Sequence, residues 1–324
     1  MSKAVRFEKV GGPEVMQLVN VDVPKPAVGE VRVRHTAIGL NYIDTYHRSG
    51  LYPVPLPSGL GLEAAGVVED VGQGVTSLKV GDRIAYGSGP IGAYSEVTNL
   101  PAAKLIKIPD AISDETAAGM MLKGMTARYL LRATYKVKAG ETILMHAAAG
   151  GVGLILCQWA KALSVTVIGT TGSDAKIDIA KAHGCTHVIN SSKEDVVARV
   201  KEITGGKGVP VVYDGVGQAT FMTSLDCLSP RGLLVSFGNA SGPVKSFDLG
   251  ILAGKGSLYV TRPTLFHYTA TEADLTETAT DLIDVVKSGK VKIPINQRYA
   301  LSDVVQAHSD LEARKTTGTT VLIP

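Results

Sequence analysis

The stretch A-A-A-G-G-V-G, Ala147–Gly153, decides the fold class of this chain. It follows a short apolar run, Thr142–Met145, and it precedes Leu154–Leu163, where apolar residues recur at helical spacing. A strand, a glycine-rich turn and a helix in this order are typical of a βαβ unit. The stretch therefore predicts the first strand and first helix of a parallel sheet.

Within this turn the spacing Ala148-x-Gly150-x-x-Gly153 is that of a dinucleotide fingerprint with alanine in the first glycine position. Small residues let the backbone approach a pyrophosphate at the helix N-terminus. The motif predicts that the phosphates meet the backbone of four residues, Gly150, Gly151, Val152 and Gly153. A glycine turn with only a structural role is the alternative from this stretch alone.

The next part of the chain keeps alternating between short β-branched runs and helical segments. Strands are predicted at Val165–Gly169, His187–Asn190, Val209–Asp214, Leu233–Phe237 and Ser257–Val260, and helices at Asp174–His183, Ser192–Ile203 and Thr220–Leu228. With Thr142–Met145 these make six strands of a doubly wound parallel sheet. This alternation strengthens the nucleotide-binding interpretation.

The first third of the chain is β-rich and is punctuated by Gly and Pro. Strands are predicted at Met1–Arg6, Glu30–Ile38, Gly66–Val71, Arg83–Tyr86, Gly92–Val97 and Leu105–Ile108, as in a closed or partly closed antiparallel barrel. A helix is predicted at Asp110–Ala133, and a helix at Glu272–Ser288 and a strand at Thr319–Leu322 are expected to return to this first domain. We therefore expect two domains, residues 1–124 with 264–324, and residues 125–263.

Length, charge and cysteine content limit the function classes. A chain of 324 residues exceeds one typical core, and its net charge of +3 without a long basic run disfavours a dedicated nucleic-acid or membrane-surface binder. No apolar stretch reaches membrane-spanning length, and Met1 opens no secretory leader. The three cysteines match neither a disulfide framework nor a zinc cluster, so a cytoplasmic location is expected.

Six stretches carry a resemblance to a known family. They are N-Y-I-D-T-Y-H-R-S-G-L-Y-P (Asn41–Pro53), G-L-E-A-A-G-V-V (Gly61–Val68), V-G-D-R-I-A-Y (Val80–Tyr86), H-A-A-A-G-G-V-G (His146–Gly153), V-Y-D-G-V-G (Val212–Gly217) and V-S-F-G-N (Val235–Asn239). In these the chain resembles the medium-chain dehydrogenases/reductases, and among them the zinc-free quinone oxidoreductases of the zeta-crystallin type. The resemblance implies an α/β fold with a GroES-like β-barrel catalytic domain and a doubly wound Rossmann domain, NADPH as cofactor, a quinone as acceptor, and a homodimer.

Two positions bear on metal chemistry. Where the zinc alcohol dehydrogenases of the superfamily have a cysteine and a histidine, this chain has Asn41 and Leu62. An amide and an aliphatic side chain cannot replace a thiolate and an imidazole in a tetrahedral zinc site. The expected chemistry is therefore free of metal.

The end of the second predicted Rossmann strand, where NAD enzymes usually place an acid against the ribose, reads Gly169-Thr170-Thr171-Gly172. With no acid there, a 2′-phosphate is acceptable, and the resemblance implies that Lys176 binds it, close to Gly172 and Ser173. A helix cap and a solvated lysine are the structural alternative. Ser191 stands where the family usually has a tyrosine, so this part of the adenosine pocket is altered.

The resemblance also implies residues at the nicotinamide end of the cofactor. They are Asn41, Tyr42, Asp44 and Tyr46 in the first domain, Thr126 and Tyr129 on the connecting helix, and Phe237, Gly238 and Asn239 after the fifth strand. Strand ends and turns are where doubly wound sheets bind ligands. Tyr46 and Tyr52, with Asn41, are the candidate catalytic residues, because a tyrosine can stack on a planar acceptor or donate a proton to it. For Tyr52 simple packing is the alternative, and Glu63 is expected to be structural.

Three functions remain open at this stage. Hydride delivery from NADPH to a quinone is the first, because the cofactor then carries the chemistry. Reduction of an activated carbon–carbon double bond in an alkenal or enone is the second. A cofactor-binding structural or RNA-associated protein is the third, and the balanced charge argues against RNA.

Overall fold

The computed structural model describes all residues from Met1 to Pro324 and divides the chain into two compact units. Unit 1 comprises Met1–Met125, Thr269–Lys287 and Ile293–Pro324, and unit 2 comprises Thr126–Tyr268 and Ser288–Lys292. The expected division fell at residues 124/125 and 263/264. No helix is long and apolar enough to cross a membrane.

Unit 1 is built mainly of β-strands. Its strands are β1 (Ser2–Arg6), β2 (Gln17–Val21), β3 (Glu30–Leu40), β4 (Glu63–Val71), β5 (Arg83–Tyr86), β6 (Val97–Pro101) and β7 (Ile106–Lys107), followed late in the chain by Ile295–Ala300 and Thr319–Ile323. The last strand, Thr319–Ile323, pairs antiparallel with β3 and parallel with Ile295–Ala300. Seven strands thus form one sheet around β3, whose inward residues Val31, Val33 and Ile38 are fully buried. β1 and β2 form a separate two-stranded sheet.

The helices of unit 1 begin with α1 (Tyr42–Ser49), which directly follows β3. α2 (Asp114–Tyr129) begins after Ser113, whose Oγ accepts a hydrogen bond from the Thr116 N–H at 3.2 Å. It continues past the unit boundary as one π-helical stretch, Leu130–Thr134. The remaining helices of unit 1, Glu272–Lys287 and Val304–Glu312, come after the whole of unit 2.

Unit 2 is a six-stranded parallel sheet. In chain order its elements are β8 (Thr142–Met145), α3 (Gly151–Ala162), β9 (Thr166–Thr171), α4 (Ile177–Ala182), β10 (His187–Asn190), α5 (Val196–Ile203), β11 (Val209–Asp214), α6 (Phe221–Asp226), β12 (Leu228–Ser236), α7 (Gly250–Gly254), β13 (Tyr259–Thr261) and α8 (Leu265–Tyr268). The spatial order is β10-β9-β8-β11-β12-β13, and all five pairings are parallel. This is the doubly wound order with its switch point between β8 and β11. The predicted fold class is confirmed.

The later part of unit 1 contains, in chain order, α9 (Glu272–Lys287), β14 (Ile295–Ala300), α10 (Val304–Glu312) and β15 (Thr319–Ile323). Six elements had no counterpart among the predicted ones: β2, α1, α7, α8, β14 and α10. Asn41 and the residues Tyr42–Tyr46 were expected at strand ends and turns. For Tyr42–Tyr46 this prediction is wrong, because these residues form the first part of α1, and Asn41 is its N-cap. Between its two tyrosines this segment has one aliphatic residue, Ile43, and two polar ones, Asp44 and Thr45, which gave little apolar periodicity to detect.

The predicted strand Gly92–Val97 is also wrong. Gly92 has a φ of 140°, and the N–H groups of Gly92 and Tyr94 donate to Gly61 and Leu60, so this segment is tied down by irregular hydrogen bonds. Regular pairing begins only at Val97, opposite Arg34 of β3. The predicted helix Ser192–Ile203 begins too early, because α5 begins only at Val196, behind its cap Asp195, whose carboxylate accepts from the Ala198 N–H.

Candidate active site

In unit 1, α1 begins where β3 ends, with Asn41 as its N-cap in an extended conformation. The backbone N–H of Asn41 donates to Oδ2 of Asp44 at 2.8 Å, which is the reciprocal half of a capping box. The side-chain Nδ2 of Asn41 donates to Oε2 of Glu63 at 2.8 Å and to the Gly39 carbonyl at 3.4 Å. Two carboxylates therefore hold Asn41, one through its backbone and one through its side chain.

Glu63 is fully buried and receives three donors. Besides the Asn41 amide, the Leu122 N–H donates to its Oε1 at 2.7 Å, and the Lys123 ammonium donates to its Oε2 at 3.0 Å. Lys123 is itself only 6% exposed. Because a buried carboxylate is costly unless it is paired and hydrogen-bonded, these contacts explain how Glu63 is tolerated. Glu63 was expected to have a structural role, and in the structure its carboxylate accepts a hydrogen bond from the Asn41 side chain.

Asp44 belongs to a second buried polar chain. Tyr94 donates to Oδ2 of Asp44 at 2.9 Å and lies 3.0 Å from Nε2 of His308, while Nδ1 of His308 lies 2.9 Å from Arg48. A guanidinium can only donate, so Nδ1 accepts and Nε2 of the neutral imidazole carries the proton that reaches Tyr94. Burial, with the nearby Arg48 charge, lowers the pKa of His308 to about 3.

Burial is also the main cause that raises the pKa of Asp44 to about 7, against the hydrogen bonds from Asn41 and Tyr94 and the Lys123 charge, which lower it. Its second oxygen, Oδ1, is buried without a hydrogen-bond partner. A carboxyl group with one unsatisfied oxygen gains from holding a proton.

Three tyrosines cluster along and after α1. The ring centroids of Tyr42 and Tyr46 are 5.9 Å apart, and those of Tyr46 and Tyr52 are 5.2 Å apart in an edge-on arrangement. His47 lies 6.1 Å from Tyr52, and its Nδ1 is buried without a partner. The structure thus brings Asn41, both candidate catalytic tyrosines and Asp44 together on one short helix and the loop that follows it.

In unit 2 the dinucleotide turn is held by the neighbouring strand β9. Thr170 accepts hydrogen bonds at its carbonyl from Ala148 N–H at 2.9 Å and at its hydroxyl from Ala147 N–H at 3.3 Å. The same hydroxyl lies 3.0 Å from Nδ1 of His146. Ala147 has a φ of 53°, a strained conformation for a residue with a side chain, and strain of this kind is concentrated at functional turns.

The geometry of this turn fits a dinucleotide pyrophosphate. α3 begins at Gly151, so the N–H groups of Gly151, Val152 and Gly153 have no intrahelical acceptor. A Cβ at Gly153 would lie 2.6 Å from the Ala147 carbonyl oxygen, which shows how closely the helix approaches the preceding turn. At Gly150 such a Cβ would lie 3.2 Å from the same carbonyl oxygen, which is also a tight contact, and would meet no other atom within 4 Å. Unpaired N–H groups and the helix dipole together favour an anion here.

The predicted 2′-phosphate end lies after β9. A Cβ at Gly172 would meet no atom within 4 Å, and Ser191 donates from its Oγ to the Thr171 carbonyl at 3.0 Å, so Ser191 lies beside this segment. Ser173 precedes a 3-10 turn, Asp174–Lys176, but its hydroxyl makes no capping hydrogen bond, so the predicted Ser173 cap is wrong. Asp174 is engaged by Asn190 and by an ion pair with Lys193. Lys176, partly buried, closes the 3-10 turn.

The remaining predicted residues of unit 2 fall in two places. Thr126 and Tyr129 are buried on the last turns of α2, and the Tyr129 ring stacks on Tyr268 with centroids 4.4 Å apart. Burial raises the pKa of Tyr129 well above its ordinary value.

Phe237, Gly238 and Asn239 follow β12, where the Phe237 N–H donates to the Asp214 carbonyl at 2.8 Å. This loop packs against the turn after β11, since a Cβ at Gly238 would overlap the Gly215 carbonyl.

Three further residues of the site, Lys123, Thr170 and His308, were not predicted from the sequence. Lys123 carried a detectable signal, because it is a single charge in the small and apolar stretch Ala117–Met125 and must therefore find an acid when that stretch is buried. His308 gave none, since its partners Tyr94 and Arg48 are more than 200 residues away in the chain.

The structure holds no group of three or more His, Cys, Asp or Glu side chains that could bind a metal ion. Leu62, at the position predicted to lack the zinc-binding histidine, is 2% exposed in the core of unit 1.

Comparison with known proteins gives concordant matches along the chain. The alcohol dehydrogenase GroES-like domain family matches residues 27–110, and the zinc-binding dehydrogenase family matches residues 151–284. The chain is 58% identical to the quinone oxidoreductase of Pseudomonas aeruginosa over 325 residues, covering 100% of both. It is 46% identical to the 2-haloacrylate reductase of a Burkholderia species, covering 100% of this chain and 99% of that one.

Among solved structures, the Escherichia coli quinone oxidoreductase complexed with NADPH superposes with a TM-score of 0.98 at 54% identity, covering 99% of this chain and 100% of that one. The two unit folds, the glycine turn and the absence of an acid at the end of β9 agree with these matches. The chain belongs to the quinone oxidoreductases of the medium-chain dehydrogenase/reductase superfamily.

Proposed function

We propose that this protein is an NADPH:quinone oxidoreductase that works without a metal. The observation that carries the proposal is the N-terminus of α3, where the N–H groups of Gly151, Val152 and Gly153 have no intrahelical acceptor, together with the end of β9, where neither Thr171 nor Gly172 is an acid. The 54% identical relative complexed with NADPH and the relatives named quinone oxidoreductase support the same cofactor and acceptor.

The residues divide the work between recognition and positioning. The N-terminus of α3 binds the pyrophosphate, and Gly172, Ser173, Lys176 and Ser191 bind the adenosine end with its 2′-phosphate. The nicotinamide end is assigned to two sets of residues. In unit 1 they are Asn41, Tyr42, Asp44 and Tyr46, and in unit 2 they are Thr126, Tyr129, Phe237, Gly238 and Asn239. When bound, NADPH supplies the hydride, and the protein contributes orientation and a site low in water.

Tyr46 and Tyr52 are the candidate groups for the acceptor. A tyrosine ring can stack on a planar acceptor, and the two hydroxyls are candidate proton donors to a reduced oxygen. Tyr46 is 8% exposed, and its carbonyl accepts from the Tyr52 N–H at 3.0 Å, so the two are fixed relative to each other.

The test is turnover by the purified protein. NADPH oxidation is followed optically with benzoquinones, naphthoquinones and no acceptor, and acceptor-dependent oxidation with a quinone is expected. Turnover must also survive a chelator, because no step is assigned to a metal. NADPH binding without turnover on any acceptor would favour a cofactor-binding structural or RNA-associated protein.

A second candidate is reduction of an activated carbon–carbon double bond. The 46% identical 2-haloacrylate reductase favours it. Hydride addition to a polarised double bond requires the same cofactor position, so the same assay with 2-haloacrylates and enones distinguishes the two. A higher kcat/KM for these compounds than for every quinone would overturn the first proposal in favour of the second.

We further propose that the chain forms a homodimer through the edge of the unit 2 sheet. β13 is the edge strand, and Tyr259 on it is 61% exposed. An apolar edge strand is a liability unless it is covered, and a two-fold axis covers it with its own copy. Light scattering at micromolar concentration tests this, and a monomer mass would refute it.

The three free thiols also support a cytoplasmic location, which cell fractionation tests.

A further inference from the structure

We infer that Glu63, held in place by Lys123, is a positioning residue that fixes the orientation of the Asn41 carboxamide, so that Asn41 offers the bound cofactor a hydrogen-bond acceptor and no donor. This rests on the proposed NADPH site and adds to it the chemistry of one contact. The ligand group facing Asn41 must then be an N–H or O–H, and it cannot be a carbonyl oxygen.

The orientation follows from the partners of Asn41. Glu63 as a carboxylate only accepts, so the Asn41 nitrogen and not its oxygen must face Oε2 at 2.8 Å. The second amide hydrogen is directed at the Gly39 carbonyl, 3.4 Å away. Both amide hydrogens are thus directed at acceptors inside unit 1. Oδ1 faces the Asp44 N–H in the capping box and keeps its second lone pair, so it is the side-chain atom that can accept from a ligand.

Lys123 decides which atom of residue 63 faces Asn41. Its ammonium donates to the same Oε2 that receives the Asn41 amide, while Oε1 receives the Leu122 N–H. Because the Lys123 ammonium can only donate, the atom of residue 63 that faces both Lys123 and Asn41 must be an acceptor oxygen. Gly39 makes room for this oxygen, because a Cβ at Gly39 would overlap both Oε2 of Glu63 and the Ala118 carbonyl.

The backbone of Asn41 is fixed as well. Its N–H is bound by Asp44 at 2.8 Å, and Asp44 is held in turn by Tyr94. A buried ion pair stabilises a fold little, and often less than an apolar pair of the same size, so its retention here is better explained by the orientation that it imposes. Asn41, Glu63 and Lys123 are all less than a tenth exposed.

The test compares cofactors that keep or lack a donor. The reduced 3-acetylpyridine analogue of NADPH lacks the carboxamide N–H groups, and an NADPH analogue deoxygenated at the nicotinamide ribose lacks a hydroxyl donor. Dissociation constants for NADPH and both analogues are measured by fluorescence titration. We expect the wild type to disfavour one analogue about fivefold, the value of one neutral hydrogen bond.

Two variants probe the orientation. Asn41→Ala removes the acceptor, and the wild-type preference should fall to about one. Glu63→Gln with Lys123→Met removes both charges and keeps the size of the pair. The carboxamide oxygen introduced at position 63 is then free to serve the Leu122 N–H, its nitrogen turns toward residue 41, and Asn41 flips, so the preference should again be lost although Asn41 is present.

Tyr86→Phe is the matched control. It removes a buried hydroxyl that bonds His35 in the same unit and should leave the preference unchanged, which separates orientation from general loss of stability.

A wild type that discriminates against neither analogue, or a preference that survives in either variant, would overturn the inference. Quinone turnover is measured separately. Discrimination with no turnover would overturn the proposed function alone, and a wild type that does not bind NADPH would overturn both.

Discussion

The Tyr94 hydroxyl donates a hydrogen bond to Oδ2 of Asp44 at 2.9 Å, and neither side chain is exposed. The groups that face this carboxyl are the Asn41 N–H, Tyr94, Lys123 and Glu63. The donors do not offset the cost of burial, which raises the pKa of Asp44 to about 7. The α1 N-terminus therefore depends on a carboxyl that titrates near neutral pH.

This arrangement predicts a pH-dependent stability. The unfolded chain releases the Asp44 proton near pH ~4, whereas the folded chain keeps it until about pH 7, so the folded state binds more protons between these values. The free energy of unfolding should therefore fall as the pH rises through this window, by up to about 4 kcal/mol.

Asp44→Asn keeps an acceptor for Tyr94 and cannot ionise. Its free energy of unfolding, measured with urea, should rise relative to that of wild type between about pH 5 and about pH 8, because only wild type loses stability as Asp44 ionises. Asp303→Asn, at an exposed position, is the control. Parallel pH curves for wild type and Asp44→Asn would contradict the prediction.

His35 predicts the opposite slope. It lies 2.7 Å from the Ser95 carbonyl through Nδ1 and 2.9 Å from the Tyr86 hydroxyl through Nε2, and burial lowers its pKa to about 4. As the pH falls below about 6.5 the unfolded chain takes up the proton first, so the folded state loses about 3 kcal/mol by pH ~4.

In His35→Gln the side-chain amide can donate to Ser95 and its oxygen can accept from Tyr86, without titrating. We expect this variant to lose less stability than wild type between about pH 6.5 and 4, measured by thermal unfolding. His267→Gln, at an exposed site, should follow the wild type. An equal acid loss in all three proteins would show that His35 is not responsible.

The sequence predicted unit 2 better than unit 1 for a physical reason. Parallel strands buried on both faces give short apolar runs such as Val209–Asp214, which contains three valines and whose bounds the structure reproduces. Short strands of unit 1 such as Ile295–Ala300, which had no predicted counterpart, are fixed by pairing with a separate strand, here Thr319–Ile323, and carry little local signal. The same distinction holds at the site. The glycine turn is readable from spacing, whereas the contacts of Asn41 with Glu63 and Lys123 exist only after folding.

The tyrosines of the site give a kinetic prediction. We expect the acceptor to be held mainly by shape, so Tyr46→Phe and Tyr52→Phe should each lower kcat less than tenfold, and the rate should be nearly flat around neutral pH. The ring contacts at 5.2 Å and 6.1 Å persist in both variants because phenylalanine keeps the ring. A loss of about a hundredfold or more at either position, with NADPH binding intact, would identify a required proton donor.

Lys176 should account for much of a preference for NADPH over NADH. It ends the 3-10 turn Asp174–Lys176, which follows Gly172, and the acid of this turn, Asp174, is paired with Lys193. A 2′-phosphate with nearly two negative charges gains a charge-assisted hydrogen bond from the ammonium, whereas the NADH ribose offers a hydroxyl. Such a bond contributes about 1.5 to 3 kcal/mol, so Lys176→Ala should weaken NADPH binding roughly 10- to 150-fold and leave NADH nearly unchanged.

Ser191, with its hydroxyl directed to the Thr171 carbonyl, makes the share of Lys176 larger, because the tyrosine usual in the family is absent. Titration of both cofactors into wild type, Lys176→Ala and the exposed control Lys181→Ala measures this share directly. If Lys176→Ala weakened NADH and NADPH equally, the lysine would support the turn after β9 and would not recognise the 2′-phosphate. A loss of the same size in Lys181→Ala would instead indicate that the general positive field of this surface, and not one contact, selects the cofactor.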